Sequence, residues 1–398
     1  MIRRPTPMAV TGFSLRTPLG ENAATIAERI YGGERVVAPN AHFDARTYPC
    51  SLAATMTFDP KPSKHRRFVK RMGLFGVEVG AEALEHSQTP VRGTRLGLFC
   101  GYGGLRAHWD DLMPVLENQD GSLEARDSWA RGFSSLHPFW MLFHLSNNAH
   151  ALLSIQLGAT GDGTTSAGSN AGAQALRAAC AALEAGSIDA ALVFAYDTLV
   201  EPETILSLGA SGAATNARDA SAVSAPYGED AAGFVPSEAA AAIVLEKPER
   251  ATGRTIAHIT ATTAADGNAG FAEPDTLAPA FATVAKEDDK LVDGAGLAHR
   301  QRDDGERAVI AQFLGESTRL ISTAASLGQM GAASSLVQII LLQQFLANQK
   351  LPPIAGLSKA APGPLRPLVH AEASDLRSAV AISCGMPGLV GAVRVEIP

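Results

Sequence analysis

The sequence predicts an α/β protein made of two similar halves, and three observations carry that reading. Short continuous apolar runs, Arg95–Cys100, Asp189–Ala195 and Ala240–Glu246, have the length and composition of fully buried strands. They alternate with longer Ala-rich stretches of helical length, which calls for a mixed or parallel sheet covered by helices on both faces. One succession of elements also recurs, in Gly161–Leu183 and again in Arg319–Ala347: a small-residue turn running into an Ala/Ser-faced helix. We read an N-terminal half over 1–247 and a C-terminal half over 255–398, joined by a linker at Pro248–Arg254. The two small-residue helices are expected to pack closely at the centre.

The elements follow in chain order. Met8–Gly12 reads as a first strand ending in glycine, and a Pro-Leu-Gly loop leads to a helix over about Asn22–Tyr31. Phe68–His86 has helical periodicity, with Met72, Phe75, Val77 and Val79 interleaved with Gly and Ala. Strand Arg95–Cys100 stops at Gly101–Gly104, and residues 105–135 are polar and irregular, as a surface excursion would be. A helix is expected over 170–185, then strands at 189–195 and 240–246. In the second half, Arg319–Ser326 reads as a strand running into the turn Gly328–Ala333, with a long helix over Ser334–Ala347.

Composition narrows the function class. At 398 residues the chain can bury more than one ordinary domain's core, and 46% hydrophobic with 18% charged residues is normal for a globular protein. A net charge of −7 argues against nucleic acid or an anionic membrane as the main partner. The long basic cluster Lys61–Arg71 is either a solvated face or a docking site for an acidic partner. Cys50, Cys100, Cys180 and Cys384 are scattered, with no CxxC pair, which fits free thiols in a reducing compartment rather than disulfides or zinc. With no signal-peptide run and no apolar stretch long enough for a membrane span, a cytoplasmic protein without cofactor or metal is expected.

The chemistry concentrates in Gly161–Leu176, a run of small residues that enters the Ala-rich helix. A helix N-terminus favours negative charge through its free N–H groups and its dipole, and acyl-transferring enzymes exploit this to hold a cysteine thiolate there. Here the nearest candidate is Ser169. A serine there also suits a plain helix start. Trp109, Trp129 and Trp140 near the irregular region read as packing residues.

Residues Gly233–Glu246 read GFVPSEAAAAIVLE, which resembles the pattern GFVPGEGAAALVLE of the β-ketoacyl-acyl-carrier-protein synthases, the condensing enzymes of fatty-acid and polyketide synthesis. Met8–Asn22 resembles that family's first strand and loop, and His137–Asn148 its stretch before the active site. The spacing from Ser169 to Gly186 matches the family's distance from nucleophile to "GDAD" strand, so the resemblance spans nearly the whole chain. It implies a thiolase-like five-layered αβαβα fold of two duplicated halves, a dimer, and an acyl carrier protein as partner.

The family's chemistry uses a cysteine to accept the acyl group and two histidines to assist decarboxylation and stabilise the enolate. Counted back from Gly186 the cysteine position falls on Ser169; counted forward from Gly158 it falls on Asn170. Cys180, about three helical turns further on, reads as core. The first histidine falls on His299, where the family's NAHGTST has become LAHRQRD, with about four residues missing before Glu306. Gln329 takes the place of the second histidine and Ala325 that of a lysine, in a segment about two residues shorter. The family's NSFGFGGTN, which shapes the acyl gate, is Ser383–Gly391 here, without the gating phenylalanine.

These departures weigh against ordinary chain elongation. Serine is a far weaker nucleophile than a thiol and needs a base within reach, and Gln329 can donate a hydrogen bond but cannot move a proton. The reading that fits best is a non-elongating partner subunit, similar to a chain-length factor, that pairs with an intact ketosynthase (or with itself) and helps shape the acyl tunnel. The alternative is a serine acyltransferase using Ser169 with His299 as general base; an active condensing enzyme is the third and poorest fit.

Overall fold

The sheet repeats one strand order twice. The structure, a computed structural model, describes residues 4–104, 137–145, 147–267 and 270–398. In the first half the strands are β1 (Met8–Arg16), β2 (Leu96–Tyr102), β3 (Gly163–Ala167), β4 (Ala190–Thr198) and β5 (Glu238–Glu246). In the second they are β6 (Ala257–Ala265), β7 (Leu291–Asp293), β8 (Arg319–Ile321), the two-residue β9 (Arg366–Pro367), β10 (Ser378–Gly385) and β11 (Leu389–Glu396). Among the described residues they form one 11-stranded sheet, ordered β9-β8-β7-β10-β11-β6-β1-β5-β4-β2-β3.

From the middle outward, β1-β5-β4-β2-β3 and β6-β11-β10-β7-β8 share directions as well as order. The first two pairings of each half are antiparallel and the next two parallel. The halves join where Met8–Val10 of β1 pairs antiparallel with Ala257–Ile259 of β6. Two duplicated halves thus build a thiolase-like fold.

The apolar pattern explains the layering. Strands β4 and β5 are apolar and buried on both faces, as their continuous hydrophobic runs require. Helices α4 (Ala171–Ala185) and α7 (Ser334–Ala347) lie between the half-sheets and touch one another, forming the middle layer. Leu176, Leu183, Leu336, Ile340 and Phe345 belong to the core they share. On one outer face α2 (Arg71–Ser87) and α3 (Asn148–Leu157) cover β1, β4 and β5 over a second core around Phe75, Leu153 and Phe194. On the other, α5 (Pro274–Val284) and α6 (Arg300–Leu314) close a third core around Phe281, Ile310 and Ile382.

The middle layer is tight because its contact residues are small. A Cβ on Gly172 would lie 2.2 Å from the carbonyl oxygen of Ala332, so the first turn of α4 meets the entry to α7 backbone to backbone. Cys180 is 1% exposed within this core, and Cys50 and Cys100 are buried as well.

Two local expectations are corrected. Residues 163–167, read as part of a small-residue turn, form the edge strand β3, which pairs with β2; the β-branched Thr164 and Thr165 suit that extended backbone. Arg319–Ser326, read as one strand, ends at Ile321 because the Asp293 carboxylate accepts from the Thr323 N–H at 2.8 Å and starts a short helix, Thr323–Leu327. The linker is pinned: Pro248–Arg250 form a 3-10 turn, and Arg254 donates to the buried Glu246 at 2.6 and 2.9 Å. Trp140 stacks on His144 with centroids 4.4 Å apart. The excursion at 105–135, with Trp109 and Trp129, lies outside the described residues.

Candidate active site

The turn at 168–170 lies between the two halves. Ser169 sits immediately before α4, and its hydroxyl donates to the main-chain carbonyl of Met386 at 2.5 Å. Asn170, at the N-cap position, is 1% exposed and makes no side-chain cap. Its Nδ2 donates instead to the carbonyl of Ser383 at 2.9 Å. Adjacent side chains are therefore both used as tethers to the C-terminal segment 383–386. Among the described residues no imidazole or carboxylate hydrogen-bonds to Ser169.

The other two candidate positions lie on separate elements. His299 is exposed at the N-cap of α6, and its backbone bridges Ala232. Gln329 is 7% exposed, and its amide nitrogen donates to the carbonyl of Ala295 and, at 3.3 Å, to that of Gly296. Its backbone is stitched to the 233–246 motif, with N–H to Val235 O at 2.9 Å and C=O accepting from Ser237 N at 2.9 Å. The glutamine thus spends its donor on the loop that leads to His299. No hydrogen bond connects Ser169, His299 and Gln329 to one another. Ala325, which the sequence resemblance sets at the lysine position, is 3% exposed.

Sequence reasoning missed a second feature, an open cleft of about 650 Å³ on the α2 side of the sheet. Phe68, Met72, Tyr102, Phe143 and Tyr196 give it an apolar wall, and Glu238 closes part of its floor. Tyr196 packs over α2, and a Cβ on Gly76 would lie 2.5 Å from its ring. Burial pushes the Tyr196 phenol well above its ordinary range, so it is a neutral wall residue. Glu238, 1% exposed, accepts from His42 Nε2 at 2.8 Å, Met56 N at 2.8 Å and Arg71 Nη1 at 2.9 Å. Next to this cleft Lys61, Lys64, Arg66, Lys70 and Arg71 line a groove of about 550 Å³. The basic cluster had marked that groove; nothing in the spacing of the aromatic residues had marked the cleft.

The family model described as "Beta-ketoacyl synthase, N-terminal domain" matches residues 6–251. The chain belongs to the β-ketoacyl synthase family. It is 24% identical over 418 residues to 3-oxoacyl-[acyl-carrier-protein] synthase 2 of Vibrio cholerae serotype O1, covering 97% of this chain and 98% of that protein. It is also 24% identical over 420 residues to the tetracenomycin polyketide synthase ketoacyl synthase beta subunit of Streptomyces glaucescens, covering 98% of each. Among solved structures, the ishigamide ketosynthase/chain length factor superposes with a TM-score of 0.82 at 19% identity, covering 100% of both chains. The chain is thus a β-ketoacyl synthase homologue of fatty-acid and polyketide type, with Ser169 and Asn170 in the turn that enters α4. No helix among the described residues is long and apolar enough to cross a membrane.

Proposed function

We propose that this β-ketoacyl synthase homologue is a non-elongating subunit that pairs with an intact ketosynthase and shapes the acyl-binding space of the pair, as a chain-length factor does. The observation that carries the reading is the commitment of Ser169 to the Met386 carbonyl with no base in contact. A hydroxyl used as a structural donor, without a partner that takes its proton, has no route to a nucleophilic alkoxide at neutral pH. Gln329, tied to the Ala295 and Gly296 carbonyls, leaves the enolate-stabilising position without an aimed donor. The name of the Streptomyces glaucescens relative, a ketoacyl synthase beta subunit, agrees with a partner role.

The rest of the molecule suits that role. Strand β3 ends the sheet with one edge unpaired among the described strands, a place where a second chain can add a strand. The basic groove at 61–71 has the charge to receive an acidic acyl carrier protein, and the neighbouring cleft has room for an acyl chain between aromatic walls.

The test is coexpression with a Cys-His-His ketosynthase, native mass spectrometry of the product, and intact-mass analysis after incubation with acyl carrier thioesters. A one-to-one complex with acylation confined to the partner supports the proposal. A stable adduct on Ser169 that disappears in Ser169→Ala overturns it in favour of a serine acyltransferase, and carbon–carbon bond formation by this chain alone overturns it as well.

A further inference from the structure

A second polar constellation lies between the loop that carries His299 and the strand end that reaches Ser169. A cavity of about 20 Å³, room for a single water-sized group, is lined by Ala295, Leu297, Asp303, Glu306 and Cys384, with Glu273 and Arg302 at its mouth. Asp303 and Glu306 are one turn apart on α6, 1% and 7% exposed. Asp303 Oδ2 accepts from the Tyr227 N–H at 2.9 Å, while Oδ1 is buried without a hydrogen-bond partner. Glu306 Oε1 accepts from Ala295 N at 2.9 Å, and Oε2 accepts from the Tyr227 hydroxyl at 2.6 Å. The same hydroxyl receives the Gly296 N–H at 3.3 Å and fits only because residue 294 is glycine, where a Cβ would lie 2.0 Å from it.

Among the described residues the surrounding cations are paired directly with other groups. On α6 itself Arg302 pairs with Glu273 of the α5 entry at 2.8 Å and Arg300 pairs with Asp304 at 2.7 Å. Arg307 donates to the carbonyls of Pro364 and Ala361, lies 4.0 Å from Asp304, and reaches Asp303 only through space. From β7 comes another acid, Asp293, bound by Thr323, and β10 supplies Cys384, whose thiol burial holds strongly protonated. His299 at the head of α6 is exposed, and in the 225–230 segment the acids are Glu229, paired with Lys359 at 2.9 Å, and Asp230. Among the described residues no cation hydrogen-bonds to Asp303 or Glu306. Burial, reinforced by Glu306, pushes Asp303 up to about 7, and burial raises Glu306 as well.

We propose that Asp303 and Glu306 form a proton-operated joint. While the pair retains a proton, residues 294–299 and the end of β10 stay closed around the cavity; when both carboxyls ionise, the loop and the strand end open. Two carboxylates about one helical turn apart in a largely buried pocket repel each other, and opening relieves this by hydrating them fully. The parts that move are the ones that matter to the site, since Ala295 leads to His299 and Cys384 leads to Met386. The joint stands independently of the partner-subunit reading.

Hydrogen exchange read by mass spectrometry on the full chain, corrected for intrinsic rates, tests it at pH 6 and pH 8. Peptides covering 294–299 and 384–390 are expected to open about tenfold more often at pH 8 for each carboxyl that titrates near 7. Asp303→Asn is expected to reduce the difference by about tenfold, and Asp288→Asn, an exposed carboxylate that does not line the cavity, to leave it. Equal opening at both pH values, or a difference unchanged in Asp303→Asn, overturns the proposal. If Asp303→Asn does not fold, infrared spectra of Asp293→Asn protein labelled at aspartate carboxyl carbons decide, since Asp293 is also pushed up to about 7 and is silenced in that variant. A protonated-carboxyl carbonyl band present at pH 6 and lost by pH 8 supports the joint, and its absence at pH 6 overturns it.

Discussion

The Ser169 hydroxyl and the Met386 carbonyl, 217 residues apart in the chain, meet at 2.5 Å and tie the two halves together at the turn that enters α4. Asn170 repeats the tie one residue later through Ser383. Serine there acts as a crosslink between the start of α4 and the C-terminal loop. Truncating each side chain should therefore cost stability. Ser169→Ala is expected to lose about 1 kcal/mol and Asn170→Ala about 1–3 kcal/mol, because the latter strands a buried carbonyl. Urea unfolding measures both. A Ser169→Ala protein as stable as wild type would show that the bond holds nothing.

Stability should also depend on pH through Asp293. This carboxyl is fully buried, and burial pushes it up to about 7 although Thr323 donates to it twice. Its folded pKa exceeds its unfolded value, so the folded state binds the proton more tightly. The contribution is greatest below about 4 and is lost as pH rises through about 7, by a few kcal/mol in order of magnitude. Asp303 and Glu306 act in the same direction. Urea midpoints should fall between pH 5 and pH 8, and the fall should be shallower in Asp293→Asn. A slope identical in the variant would remove Asp293 from the account.

At the central helix contact, two small substitutions should have opposite effects. Gly172→Ala places a Cβ 2.2 Å from the Ala332 carbonyl oxygen, where neither backbone can yield. In an exposed helix this change stabilises by about 1 kcal/mol; here overpacking should reverse the sign and cost about 2–3 kcal/mol. Ser335, 1% exposed on the facing helix, buries a hydroxyl without a hydrogen-bond partner. Ser335→Ala should be neutral or stabilising, since it removes an unpaid desolvation rather than a bond. Thermal melts of the two variants distinguish these outcomes directly.

What the sequence disclosed divides along physical lines. The helix at 334–347 and the apolar strands at 190–198 and 238–246 were readable because burial on all sides leaves uninterrupted hydrophobic runs. The paired small-residue turns pointed to the duplication that the strand order repeats. Strand β3 was not readable, since Gly163–Ala167 is a short edge strand with no continuous apolar run. The fate of Ser169 was also hidden, because it depends on the backbone carbonyl of Met386, and a carbonyl leaves no mark on residue type. Tyr227 was missed for a similar reason. It holds a left-handed backbone, φ 62°, to bring its hydroxyl between Gly294 and Glu306, and only the folded chain puts those three positions together.

Glu238 illustrates the opposite case, a motif residue whose position was plain and whose work was not. It opens β5 within the family motif and is 1% exposed, yet it serves residues far upstream: His42, Met56 and Arg71. Burial works against its charge, but the bond from His42 and the Arg71 guanidinium together hold its carboxyl below the usual range. A depressed carboxyl contributes stability above its unfolded pKa and loses it as pH falls through the folded one, so this cluster should fail on the acid side, opposite to Asp293. Glu238→Ala removes the buried carboxylate partner of Arg71, leaving it only the exposed Asp59 at 3.5 Å, and frees the backbone of Met56. The expected cost is about 3 kcal/mol, as for other broken buried pairs. Glu238→Gln should cost less at pH 4 than at pH 7, because the carboxyl of the unfolded chain, with its ordinary value near 4.5, is already taking up protons at the lower pH. A cost that does not change with pH would mean that shape, not charge, holds the 42–71 segment against β5. Chemical denaturation of both variants at the two pH values settles which.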